Sequence, residues 1–151
     1  MHKTRWYGGS FCPAFVKYCL CLTPEQYEQE CKKLNMRFPR DFLTRGCTGT
    51  THFWDGDDGT TVAIVCIDLD KERNINELKA LIVHEAVHVF QEMMLQQREE
   101  NPGKEIQAFH IQRISLDLMT ELDNYFKEHP HAHPDYSKQR KKRRNVVRGR
   151  R

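Results

Sequence analysis

The sequence predicts an α+β domain in which a short antiparallel sheet packs on two long helices. Three observations carry that prediction. Three β-prone runs, at residues 14–22, 50–54 and 60–69, lie in the first half of the chain. Two long stretches of helical periodicity, about 74–97 and 104–127, follow in the second half. A cluster of Asp and Gly at 55–59 joins the second and third runs as a hairpin. With 151 residues and 38% hydrophobic content, the chain has room for one core and not for two. No apolar run approaches the roughly 18 residues of a membrane span.

The elements follow in order. Residues 1–13 give no clear signal. Residues 14–22 (AFVKYCLCL) read as a strand, with Cys19 and Cys21 two apart and so on one face. Thr23 can cap a helix, Pro24 fits its first position and Gln26 can complete a capping box. That helix runs to about Leu34, with Tyr27 and Cys31 on one side. Residues 35–49, broken by Pro39 and Gly46, read as loop. The acidic turn Asp55-Gly56-Asp57-Asp58-Gly59 reads as a hairpin rather than a calcium loop. An EF-hand would need Glu at its twelfth position, and counting from Asp55 reaches Cys66. Asn74 and Glu77 can form a second capping box, and the helix they open runs to about Gln97. Asn101-Pro102-Gly103 breaks the chain, and a second long helix presents Ile111, Leu118, Leu122 and Tyr125 at helical spacing. Pro130 and Pro134 end it.

Six cysteines (12, 19, 21, 31, 47 and 66) could pair, but no export signal precedes them. Residues 1–10 carry positive charge without an apolar stretch after them, because Pro13 and Lys17 interrupt 11–22. Free, buried thiols in a cytoplasmic protein are therefore expected. Spacings of the C-x₂-C type that mark structural zinc sites are missing.

The formal charge of +3 hides two opposed parts. Residues 138–151 hold nine basic side chains and no acid, which leaves 15 basic against 21 acidic, a net of −6, in 1–137. The boundary falls between a folded domain, 1–136, and a basic tail, 137–151, too poor in apolar residues to fold. Such a tail suits non-specific, salt-dependent binding of nucleic acid or another polyanion through Lys138 and the basic residues after it. Its plainer reading is a solubilising tail. No aromatic residue interleaves the charges to read a base.

One motif carries chemistry. His84-Glu85-Ala86-Val87-His88 is HExxH inside a predicted helix. Residues four apart share a helix face, so both imidazoles can reach one metal ion. Glu85, rotated about 100°, can act on a bound water without ligating. Average composition would produce the pattern by chance roughly once in two hundred chains of this length. The flanking Leu81, Ile82, Val83, Val87, Val89 and Phe90 make three polar side chains costly to bury without a purpose. The plainer reading is a pair of satisfied core histidines.

A catalytic zinc needs a third protein ligand. An HExxH helix, then a turn, then a helix opening Glu105-Ile106-Gln107-Ala108-Phe109, resembles the zincin metallopeptidases whose third ligand is a glutamate. It is similar in size to the compact, phage-like ImmA/IrrE-type peptidases. The resemblance covers about residues 75–127. It implies a minimal zincin-like fold and one zinc ion held by His84, His88 and Glu105. It also implies Glu85 as general base and hydrolysis of a peptide or protein substrate. Glu99, Glu100, His110 and Asp117 are rival third ligands. A third histidine at metzincin spacing is absent, because position 94 is Met94. Peptide deformylases, with a cysteine ligand upstream, keep Cys47 open, although the rest of their pattern is missing. A metal-stabilised binding protein without catalysis is the non-enzymatic alternative. By chain order, 60–69 is the candidate edge strand for aligning substrate. His110, His131, His133 and Tyr136 are candidates to stabilise an oxyanion.

Overall fold

A computed structural model describes residues 3–8, 16–57, 59–69 and 74–135. Cys12, Asp58, Tyr136 and the basic tail lie outside the described residues. The domain is α+β. Its elements are β1 (Trp6–Tyr7), β2 (Val16–Cys21), α1 (Pro24–Lys33), β3 (Gly49–Asp55), β4 (Thr61–Ile67), α2 (Ile75–Gln96), α3 (Lys104–Glu128) and a final 3₁₀ turn at Pro130–Ala132. Among the described residues no helix is long and apolar enough to cross a membrane.

The sheet order is β1-β2-β4-β3. It is mixed, which corrects the antiparallel expectation. The β3–β4 hairpin forms as expected, with Gly56 N–H bonded to Thr60 O and Gly59 at φ +77° in the turn. However, β4 inserts beside β2 and runs parallel to it, from Val16↔Thr61 to Cys21↔Cys66. The crossover through α1 and β3 returns the chain in the same direction. The sequence carries a trace of this. TVAIVCI is apolar on both faces, as a central strand must be, and every residue of β4 is buried.

The sheet separates two apolar layers. Val16, Tyr18, Leu20, Ala63, Val65 and Ile67 face α2 and α3. Cys19, Cys21, Ile64 and Cys66 face α1, where Tyr27 and Cys31 meet them. Strand alternation explains why the two-apart cysteines share the second layer. Cys19, Cys21, Cys31, Cys47 and Cys66 are free thiols, and all but Cys47 are buried.

Capping fixes where the helices begin. The Thr23 hydroxyl accepts from Gln26 N–H, but the Gln26 side chain accepts from Leu22 N–H at 2.7 Å, one residue outside the expected box. At α2 the box closes fully: Asn74 accepts from Glu77 N–H, and Glu77 accepts from Asn74 N–H. The α2 and α3 helices run antiparallel, tied at one end by Lys79–Asp123 at 3.6 Å and at the other by the Phe90 and His110 rings, 6.0 Å apart.

Burial pushes the Cys19 and Cys66 thiols well above their ordinary value of 9.0. A raised folded-state value means that stability is intact below pH 9 and is lost as pH rises past it, because unfolding releases thiols that ionise. Thermal midpoints measured from pH 7 to about pH 10.5 should fall above pH 9. In a Cys66→Ala variant the fall should be shallower. An unchanged slope would assign the alkaline loss elsewhere.

Candidate metal and hydrolase site

Helix α2 presents three different environments at the motif. Buried Leu78, Ile82, Ala86, Val89 and Phe90 form its inner face. His84 and His88 stand exposed on the outer face. Only Glu85 is buried, at 3% exposure. The burial cost expected for all three therefore applies to the carboxylate alone.

The two imidazoles converge, with Nε2 of His84 and Nε2 of His88 3.2 Å apart. Two nitrogens bound tetrahedrally to zinc at 2.0–2.1 Å would stand about 3.3–3.4 Å apart, so the pair is spaced for one ion. Gln91 Oε1 lies 3.2 Å from His88 Nδ1. An amide oxygen can only accept, so Gln91 is placed to support the His88 tautomer that carries its proton on Nδ1 and offers Nε2 to a metal.

Glu85 turns toward β3. The Thr51 hydroxyl donates to its Oε2 at 2.7 Å. Its Oε1 lies over Gly49 so closely that a Cβ there would meet it at 2.8 Å, and would meet Leu81 Cδ1 at 3.0 Å. Gly49 is glycine because the carboxylate approaches the strand, a constraint with no local sequence signal.

β3, not the run at 60–69, is the edge strand beside the motif helix. β4 has β2 on one side and β3 on the other, so an extended peptide cannot add to it. The β3 edge is better suited than chain order suggested. Asp68 N–H bonds to Thr48 O and Gly56 N–H to Thr60 O, so even-numbered β3 residues form the hydrogen-bonded pairs with β4. The peptide groups of Gly49, Thr51 and Phe53 then point out from the edge. Gly49 and Thr51 are the residues that touch Glu85, and alternation puts Phe53, 40% exposed, on their face.

The remaining candidates stand elsewhere. Glu105 is exposed in the first turn of α3. The facing pairs 79–123 and 90–110 set it level with about residue 95, some 10 Å along the α2 axis beyond His88 at 1.5 Å per residue. Glu99 and Glu100 lie in the loop before α3. Asp117 is buried and accepts from the Tyr18 hydroxyl at 2.7 Å. His110 holds Ile106 O at 2.9 Å through Nδ1. His131 and His133 follow the C-terminal end of α3, at the opposite end of the helix pair from His110. Among the described residues no three His, Cys, Asp or Glu side chains gather as a metal-holding group. Cys47 is exposed in the loop that enters β3, two residues before Gly49.

The sequence reading overlooked Gly49, Thr51 and Gln91. Gln91 was accessible to it, three residues past His88 on the same helical face. No family model matches the chain, and comparison with curated proteins and with solved structures finds no match either.

Proposed function

We propose that the protein is a zinc-dependent metallopeptidase acting on extended peptide segments. The observation that carries this reading is the convergence of His84 Nε2 and His88 Nε2 on an exposed helix face next to a sheet edge. His84 and His88 would hold the zinc ion, which would supply Lewis acidity toward the peptide carbonyl and toward water. The β3 edge receives the peptide through the outward groups of Gly49, Thr51 and Phe53. Glu85, held by Thr51, takes a proton from the attacking water and returns it to the leaving amine. The third ligand rests on resemblance, which favours Glu105. Five free thiols suit the reducing conditions of the cytoplasm. The basic residues from 138 to 151 would hold the domain near a polyanion such as nucleic acid.

The test is a peptide-cleavage profile of a complex peptide mixture, comparing zinc-loaded wild type with zinc-loaded Glu85→Gln. New termini should appear with the wild type alone. Equal cleavage by both proteins would remove Glu85 as the base. Cleavage by neither would leave a metal-stabilised binding protein.

A further inference from the structure

From Cys31 to Thr48 the chain carries five basic residues, Lys32, Lys33, Arg37, Arg40 and Arg45, against one acid, Asp41. The two lysines are engaged: Lys33 pairs with the buried Glu30 carboxylate and Lys32 lies 4.0 Å from Glu28. Arg37, Arg40 and Arg45 are exposed and pair with no other described residue. Among them stands Phe38, which at 88% is the most exposed large apolar side chain of the described residues.

The segment is anchored at both ends. Asn35 at φ +53° turns the chain off α1, with Met36 N–H bonded to Cys31 O. Leu34, Met36, Phe42 and Leu43 pack on the cysteine layer of the sheet. The His52 ring meets Phe42 O at 3.1 Å, and Thr44 N–H donates to Thr50 Oγ1 at 3.0 Å, so the far end is tied to β3. Between the anchors, Arg37-Phe38-Pro39-Arg40-Asp41 projects with every side chain exposed. Pro39 fixes its own φ and restricts Phe38 to extended backbone, which stiffens the tip. Arg37 and Arg40 flank the ring within about 10 Å of each other. Arg45 follows in the turn closed by Cys47 N–H to Thr44 O.

Guanidinium groups held this close repel, and an anion among them relieves the repulsion. Their forks suit phosphate oxygens, and an exposed ring stacks on the face of an unpaired base. A duplex hides those faces, and one apolar side chain is too little to anchor a membrane. We infer that residues 37–45 form a binding surface for single-stranded nucleic acid, with Phe38 stacking on a base and Arg37, Arg40 and Arg45 holding the flanking phosphates. The surface is distinct from residues 138–151, where no aromatic residue stands among the charges. Alternation puts Thr50 and His52 on the sheet face opposite Gly49 and Thr51, so the surface lies on the α1 side, away from Glu85. It does not depend on the metallopeptidase reading.

The full-length protein is titrated into a labelled oligothymidylate of about 12 nucleotides, and into the same strand annealed to its complement, while anisotropy is followed at several salt concentrations. Phe38→Ala should weaken the single strand about tenfold and leave the duplex unchanged, and Phe38→Trp should keep the wild-type affinity. Arg37→Gln, Arg40→Gln and Arg45→Gln together should flatten the fall of log affinity with log salt by about 2, for three phosphates released. All four side chains are exposed, so thermal midpoints should not move. Unchanged single-strand affinity in Phe38→Ala, an equal loss for strand and duplex, or an unchanged salt slope in the triple variant would overturn the surface and leave any binding to residues 138–151. Phosphatidylserine vesicles bound by wild type and lost in Phe38→Ala, with the oligonucleotide unaffected, would assign the patch to a membrane instead.

Discussion

Replacing His84 with alanine is expected to abolish one-to-one zinc binding while the fold stays intact. The imidazole is exposed and meets the His88 ring through Nε2 and the ring edge, so its removal opens no cavity in the core. What remains is His88 with its Gln91 support, a single neutral donor with little affinity for the ion. Competition with a chromophoric chelator reads the loss directly, and an unshifted thermal midpoint without metal shows that the helix is undamaged. Zinc held with equal stoichiometry by wild type and His84→Ala would refute the site. The same titration decides the third ligand. If Glu105 ligates, Glu105→Ala should weaken zinc about tenfold or more, and the first turn of α3 must then close toward His88. If Cys47 ligates, Cys47→Ser should do so instead, and the deformylase-like alternative gains.

Local chemistry made much of the fold legible. Thr23-Pro24 and Asn74-x-x-Glu77 start helices where they were expected to, because a cap is a contact between near neighbours in sequence. The acidic glycine turn fixes the hairpin for the same reason. The β2–β4 pairing was not legible from periodicity. It joins residues 45 positions apart, and only the unbroken apolar run of β4 hinted that both faces were covered. The site divides along the same line. The spacing of His84 and His88 follows from one turn of helix. The environment of Glu85 depends on a strand more than thirty residues upstream. Glu105 was given by likeness of pattern, and the antiparallel packing of α2 and α3 sets it far down the axis.

Gly49→Ala is expected to reduce peptide hydrolysis nearly as far as Glu85→Gln, without removing any functional group. A β-carbon at position 49 would stand 2.8 Å from Glu85 Oε1 and 3.0 Å from Leu81 Cδ1. The strand cannot retreat, since Thr48 O and the pairs from Gly49↔Ile67 onward bind it to β4. The carboxylate is the more mobile partner, and moving it breaks the 2.7 Å bond from Thr51. Overpacking of this kind costs about 1–3 kcal/mol of stability, which denaturant unfolding measures. Loss of a positioned general base costs about 10²–10⁴-fold in kcat. The two effects separate in a double-mutant cycle. If alanine acts by displacing Glu85, then adding Gly49→Ala to Glu85→Gln should lower stability again and leave the residual hydrolysis unchanged. Zinc binding should be unaffected throughout, because the added carbon crowds Glu85 and Leu81, whereas the two imidazoles are exposed. A Gly49→Ala enzyme with full activity would show that Glu85 works from a position other than the one against β3. An equal further loss of activity in the Glu85→Gln background would show instead that Gly49 acts by admitting the peptide to the strand edge.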